Sequence, residues 1–200
     1  MLFIISSPSG AGKSTLCSHL LCSNDEIGES ISVTTRQARQ SESDGIHYYF
    51  KTIQQYEDLV AKNEFLEHAN FCGNYYGTLK SEIERIKTLG KTTILFDIDY
   101  QGARQIKAHD QFDIVSVFIM PPSFEILENR LRNRKTDSQD AILKRIESAK
   151  KEINFAGEYD YIIINDRLDV AKNEITSIYT AETLRRKRGK YINMIPDYLA

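Results

Sequence analysis

The sequence predicts an α/β fold in which a parallel sheet is sandwiched by helices, and three observations lead there. Four short apolar runs show no polar alternation: Leu2 to Ile5, Thr93 to Phe96, Ile114 to Met120 and Tyr161 to Ile164. Strands buried on both faces of a parallel sheet have this pattern. Longer segments of helical spacing lie between the runs, and a glycine-containing loop follows the first of them at once.

Taken in chain order, Leu2 to Ile5 reads as a strand and Thr15 to Leu21 as the helix after the loop. The stretch from Ser32 to Tyr76 has a different texture, rich in Tyr, Thr, Ser, Asn and Gly. Short alternating pieces such as Ile46-His47-Tyr48-Tyr49-Phe50 mark it as a small, partly antiparallel β insertion. Leu79, Ile83, Ile86 and Leu89 then make a helical stripe that Gly90 stops. After the strands at Thr93 and Ile114, the polar patch Arg132 to Asp140 separates two helices and reads as a mobile lid. A cap at Asp137 or Ser138 opens the stripe Ile142, Ile146, Ala149 and Ile153, and the last strand follows.

Composition bounds the function without naming it. At 200 residues the chain is the size of one domain with small insertions. Its 41% hydrophobic and 27% charged residues exclude disorder. No run free of Asp, Glu, Lys and Arg exceeds twelve residues, His68 to Leu79 being one. A bilayer span needs about 18, so no membrane partner is expected. The 26 basic and 28 acidic residues leave a net charge of −2, which does not suggest a nucleic-acid binder. Any phosphate recognition must be local. Three cysteines at no metal-like spacing (Cys17, Cys22, Cys72) fit a reduced interior. No cationic leader precedes the first strand, so a cytoplasmic location is expected.

The strongest chemical signal is Ser7-Pro8-Ser9-Gly10-Ala11-Gly12-Lys13-Ser14. It matches G-x-x-x-x-G-K-[ST] except that Ser7 stands in place of the first glycine. Glycines let backbone N–H groups curl around a phosphate, and the following helix N-terminus favours the negative charge. Lys13 would meet the β- and γ-phosphates, and the Ser14 hydroxyl would ligand Mg²⁺. The competing reading is a chance turn that caps a helix.

Two further patterns point to the same region. The strands end in polar or turn-forming residues: Ser6-Ser7, Asp97-Ile98-Asp99, Pro121-Pro122-Ser123 and Asn165-Asp166. Ligands of open α/β sheets bind beyond those ends. Asp97 and Asp99 share a face of an extended segment, suited to Mg²⁺-bound water or a ligand donor, or else to capping a helix. If Glu64 to Phe71 is extended, Glu67 shares a face with Phe65, Ala69 and Phe71 and needs a polar partner. If the segment is helical, Glu67 sits in solvent; spacing alone leaves both open.

These residues carry a family resemblance. Ser6 to Thr15 resembles the phosphate loop of guanylate kinases. Thr34-Thr35-Arg36-Gln37-Ala38-Arg39, Glu42, Asp44-Gly45 and Tyr48-Tyr49-Phe50 resemble that family's T-T-R-x-x-R…E-x-x-G-x-x-Y-x-F block. Glu64 to Glu67, Gly73 to Thr78, Asp97 to Gly102, Pro121 to Ser123, Arg130-Leu131 and Asn165-Asp166 continue it in order. The resemblance implies the P-loop nucleoside monophosphate kinase fold. Its parallel-sheet core would be residues 1–31 and 80–200, with a β-rich GMP-binding insertion at about 32–79 and a lid at about 130–145. It implies transfer of the γ-phosphoryl group of MgATP to GMP, and to dGMP, giving GDP and ADP in purine nucleotide metabolism.

The resemblance also implies roles. ATP would meet Pro8, Ser9, Gly10, Ala11, Gly12, Lys13, Ser14 and Thr15, with Arg130 as a lid arginine and Asn165 and Asp166 near the adenine. The GMP phosphate would be held by Arg36, Arg39, Tyr48 and Tyr76, with Glu42 in the same motif. Guanine would be read by Ser32, Glu67 and Thr78, with Asp99 nearby and Asp97 on the GMP and magnesium side. Arg134 and Arg145, with Lys13 and Arg39, would stabilise the transferring group.

Departures from the family pattern are Ser7 and the lid sequence Arg134-Lys135-Thr136-Asp137, which lacks a glycine after its arginine. The basic tail Arg185 to Lys190 reads as a solvated helix end, or as a nucleic-acid or partner contact. Two other classes compete. Scaffolding relatives of the fold bind phosphopeptides but lack a working loop, whereas Lys13, Ser14 and Arg134 are present here. A GTPase needs an N-K-x-D motif, which is absent, and an adenylate or thymidylate kinase has no use for Glu67 with Thr78.

Overall fold

The computed structural model describes residues 1–71, 73–133 and 139–185. Arg134 to Ser138, which include the lid arginine and both candidate caps, lie outside the described residues, as does the basic tail beyond Arg185. In chain order the elements begin with β1 (Leu2–Ser6), α1 (Lys13–Ser23), β2 (Ile27–Glu29), β3 (Ser32–Thr34), β4 (Tyr49–Phe50) and α2 (Ile53–Ala61). They continue with β5 (Phe65–Phe71), β6 (Asn74–Leu79), α3 (Ser81–Thr88), β7 (Thr93–Asp97), α4 (Tyr100–Lys107) and β8 (Ile114–Met120). The chain then runs through α5 (Phe124–Arg132), α6 (Gln139–Ile153), β9 (Tyr161–Ile164) and α7 (Leu168–Leu184).

The predicted parallel core is present: one sheet has the order β2-β7-β1-β8-β9, every neighbour parallel. Alternation along β1 explains why its sequence carries no polar rhythm. Phe3 and Ile5 pack on one face with Leu16 and Leu20 of α1 and Ile175 of α7. Leu2 and Ile4 pack on the other with Ile83 and Ile86 of α3 and Ala103 and Ile106 of α4. Both faces are apolar because both are covered.

A second sheet has the order β4-β3-β6-β5. It has its own core, where Val33, Tyr56 and Phe65 are buried. Here the sequence reading needs correction. Ile46 is exposed in a turn, and only Tyr49–Phe50 of the alternating piece pairs as a strand. The β-rich segment also contains α2, which opens on a Thr52–Gln55 capping box and buries Tyr56.

Two further expectations shift, and one strand goes unanticipated. Leu79 ends β6 and Leu89 is exposed, so only Ile83 and Ile86 of that stripe are buried on α3. Strand β2 is three residues long and carries no hydrophobic run to announce it. β9 lies at the sheet edge, leaving Ile162 and Ile164 exposed despite its apolar sequence. No helix among the described residues is long and apolar enough to cross a membrane.

Candidate active site

The chain leaves β1 at Ser6 and re-enters regular structure at Lys13, so the loop between crosses the carboxyl edge of the sheet. It is a tight turn, with the Ala11 N–H donating to the Pro8 carbonyl at 3.1 Å. Gly12 has φ +100, the left-handed region that favours glycine, and a Cβ there would stand 2.2 Å from Asn165 Nδ2. Ser7 needs no glycine. Its φ is not positive, and its buried hydroxyl donates to the Pro8 carbonyl at 3.0 Å.

β1 pairs with β7 with Ile5 opposite Asp97, which brings Asp97 beside the loop. Lys13 Nζ makes an ion pair with Asp97 Oδ1. Burial draws the Lys13 ammonium down from its ordinary value, and the negative charge of Asp99, Glu152 and Glu29 opposes that fall. Asp99 caps α4, accepting from the Gln101 and Gly102 N–H groups at 2.9 and 3.1 Å, so helix capping and the cleft share one carboxylate.

Around these residues lies a cleft of about 290 Å³ between the two sheets. Its core wall is Ser7 to Gly10, Gly12 to Thr15, Asp97 to Asp99 and Glu152. The facing wall is Ser32, Tyr48, Glu67, Ala69, Phe71 and Tyr76.

Strand β5 is extended, and Glu67 is buried at 4% exposure. Glu67 shares its face with Ala69 and Phe71, as simple alternation gives, but not with Phe65. A bulge between Phe65 and Glu67 turns Phe65 to Tyr56 and His68, leaving Glu67, Ala69 and Phe71 toward the cleft. Thr78 Oγ1 donates to Glu67 Oε1 at 2.7 Å, and Ser32 Oγ lies 3.4 Å from Thr78 Oγ1. Burial pushes the Glu67 carboxyl up to about 7, against the Thr78 hydrogen bond.

On the same wall Tyr48 and Tyr76 stand edge to face at 6.1 Å. Arg36 lies over the Tyr48 ring at 5.4 Å and donates two parallel hydrogen bonds to Glu42, at 2.9 and 3.0 Å. Glu42 also accepts from the Arg39 N–H at 2.8 Å. The Arg36 hydrogen bonds hold its carboxyl below the usual range. Arg36, Arg39 and Glu42 do not line the cleft, and the Arg39 side chain is exposed.

Three predicted residues support the loop from behind. Arg145 donates to Ser9 Oγ at 3.1 Å. Arg130 donates to the Asn165 carbonyl at 3.0 Å, and Asn165 Nδ2 donates to the Ala11 carbonyl at 2.8 Å. Asp166 is exposed, and Ala11 is buried beneath the loop. Sequence reasoning missed Glu152. This α6 carboxylate is 3% exposed, accepts from Ser148 Oγ at 2.8 Å and lines the cleft. Burial pushes it up to about 7, with Asp99 adding to that rise and Lys13 opposing it. Its one sequence signal is a spacing of seven from Arg145, which puts both on one helix face. No cluster of three His, Cys, Asp or Glu suited to a metal ion occurs among the described residues.

Comparison with known proteins agrees with this geometry. The sequence model of one family, described as guanylate kinase, matches residues 1–182. A guanylate kinase from Rickettsia felis is 49% identical over 182 residues, covering 91% of this chain and 94% of that protein. One from Bartonella quintana is 48% identical, covering 99% and 89%. The crystal structure of guanylate kinase from Anaplasma phagocytophilum superposes with a TM-score of 0.78 at 33% identity, over 98% of this chain and 92% of that one. A phosphate loop facing a buried carboxylate–threonine pair, on this fold and at this level of identity, places the chain in the guanylate kinase family.

Proposed function

We propose that this protein transfers the γ-phosphoryl group of MgATP to GMP, giving GDP and ADP, and that dGMP, with the same base and phosphate, is also a substrate. The observation that carries the reading is the pairing across one cleft of Lys13 in its phosphate loop with Glu67 and Thr78. The first suits a triphosphate. The second suits guanine, whose N1–H and N2–H₂ are donors that a carboxylate accepts, whereas adenine N1 is an acceptor.

In this reading ATP phosphates lie along Pro8 to Thr15, and Lys13 exchanges Asp97 for the phosphates as negative charge redistributes. Arg145, already on the loop through Ser9, supplies a second cation, and Arg134 a third. Asn165, itself held by Arg130, holds the loop backbone, with Asp166 at the adenine end. Arg36, pre-aimed by Glu42, joins Arg39, Tyr48 and Tyr76 at the GMP phosphate. Ser32 and Asp99 complete the base pocket. Phosphoryl transfer gives the protein little covalent work, so positioning and charge neutralisation supply the rate. Magnesium fits this donor set as an ion brought by the nucleotide: the exposed Ser14 hydroxyl and the Asp97 carboxylate would hold it, and it would neutralise phosphate charge.

The protein's place would be purine nucleotide metabolism in the cytoplasm. An ADP-release assay across GMP, AMP, CMP, UMP and dTMP tests the assignment. Preference for GMP is expected, and equal or greater turnover of AMP or dTMP would overturn it.

A further inference from the structure

Helix α4 meets strand β5 through a short, regular set of contacts. The Gln105 side-chain amide donates to the His68 carbonyl at 2.8 Å and accepts from the His68 N–H at 3.0 Å. That is the pair of bonds a neighbouring strand would make, and β5 is the edge of its sheet. One turn earlier, Gln101 Nε2 donates to the Asn70 carbonyl at 3.2 Å. Between them Gly102 faces Glu67. A Cβ on Gly102 would stand 2.4 Å from Glu67 Oε2 and 2.9 Å from its Cδ.

Glycine inside a helix costs stability relative to alanine, and Gly102 has an ordinary negative φ that alanine accepts. The backbone therefore gives no reason for glycine here. The space it leaves is filled by the one carboxylate on the facing wall of the cleft.

We infer that α4 is the template for the base-reading carboxylate, with Gly102 leaving the room Glu67 occupies and Gln105 fixing the strand that carries it. Gly102 and Gln105 are thus specificity-determining positioning residues, an inference that rests on the proposed reading of Glu67 as the guanine acceptor. A methyl group at residue 102 must displace the carboxylate by about an ångström to reach ordinary contact. Glu67 then leaves the Thr78 hydroxyl and meets the base at the wrong distance. A misplacement of that size is enough to lower turnover by about 10²-fold.

The test is steady-state kinetics with GMP and ATP varied separately, with thermal midpoints, for wild type, Gly102→Ala, Glu67→Ala and the double variant. Gly102→Ala should lower kcat/KM for GMP about ten- to a hundredfold, leave KM for ATP within about twofold, and lower the midpoint at most modestly, the helix gain from alanine offsetting part of the cost of moving Glu67. In the Glu67→Ala background, where the carboxylate is gone, the same substitution should change GMP efficiency by less than about twofold. Gln105→Leu keeps bulk but loses both bonds to His68, and should raise KM for GMP about three- to tenfold while sparing ATP.

The inference is overturned if Gly102→Ala leaves GMP efficiency intact, lowers it equally in both backgrounds, or weakens ATP and GMP together. A rise in both Michaelis constants for Gln105→Leu overturns it as well. Wild type that shows no preference for GMP would instead overturn the reading of Glu67 itself.

Discussion

Asn165 occupies the space that a side chain on Gly12 would need: its Nδ2 lies 2.2 Å from the position of that missing Cβ and donates to the neighbouring Ala11 carbonyl. The phosphate loop is therefore shaped from two directions, by the left-handed backbone at Gly12 and by an asparagine at the end of a strand two positions away in the sheet. Gly12→Ala should both strain the backbone and push Asn165 off the loop. Turnover should fall by about 10² or more, with a lower thermal midpoint. Activity and melting measured on one preparation check both halves.

Lys13 is drawn toward its neutral form by burial and is paired with Asp97. Lys13→Ala removes the charge that would meet the phosphates and should cost about 10²-fold or more in turnover. The midpoint should change little, because the ion pair lost is partly solvated. A folded variant with near wild-type turnover would sink the loop's assignment.

Glu67, raised to about 7, must be ionised to accept from guanine. GMP binding should therefore weaken as pH falls below about 7, by at most about tenfold per unit, while ATP binding does not follow that profile. Glu67→Gln replaces an acceptor by a donor and should lower GMP efficiency about ten- to a hundredfold. It should also remove this limb of the pH profile, leaving only the titration of the GMP phosphate itself. KM profiles from pH 5.5 to about 8.5 for both proteins distinguish these contributions.

Glu152 is raised to about 7 in the folded chain and returns to the ordinary carboxylate range on unfolding. The folded state thus holds the extra proton between about 4.5 and 7, and stability is lost as pH rises through that window. The penalty is on the order of 3 kcal/mol above pH 7. Glu152→Gln keeps an acceptor for Ser148 and should raise the ligand-free midpoint at pH 8 while changing it little at pH 5. Denaturant melts at the two pH values measure the difference.

Glu42 orients Arg36 with two hydrogen bonds and holds the Arg39 backbone with a third. Glu42→Ala leaves Arg36 charged but free to swing. KM for GMP should rise about threefold to thirtyfold with ATP unaffected, because a fixed fork recognises phosphate better than a mobile one. Separate titrations of the two nucleotides read it out.

What the sequence by itself determined is what local chemistry determines. Ser7 to Ser14 reads as a phosphate loop because glycine freedom, a lysine and a helix start lie within eight residues. The apolar runs at Leu2 and Ile114 read as buried strands because neither shows the polar alternation of a half-exposed strand, Ser116 being the one polar residue within them. The tertiary structure decided whatever depends on a partner distant in sequence. The same apolar pattern at Tyr161 to Ile164 became a half-exposed edge, since no strand or helix among the described residues covers Ile162 and Ile164. β2 pairs because β7 offers an edge, not because three residues announce a strand. Glu67 faces the cleft with Ala69 and Phe71, as period-two counting has it, but a bulge between Phe65 and Glu67 takes Phe65 off that face, which such counting cannot foresee. Glu152 looks like any surface glutamate of an amphipathic helix. It is buried because α6 turns it into the cleft beside the loop, and burial, more than residue type, moves its proton affinity into the physiological range.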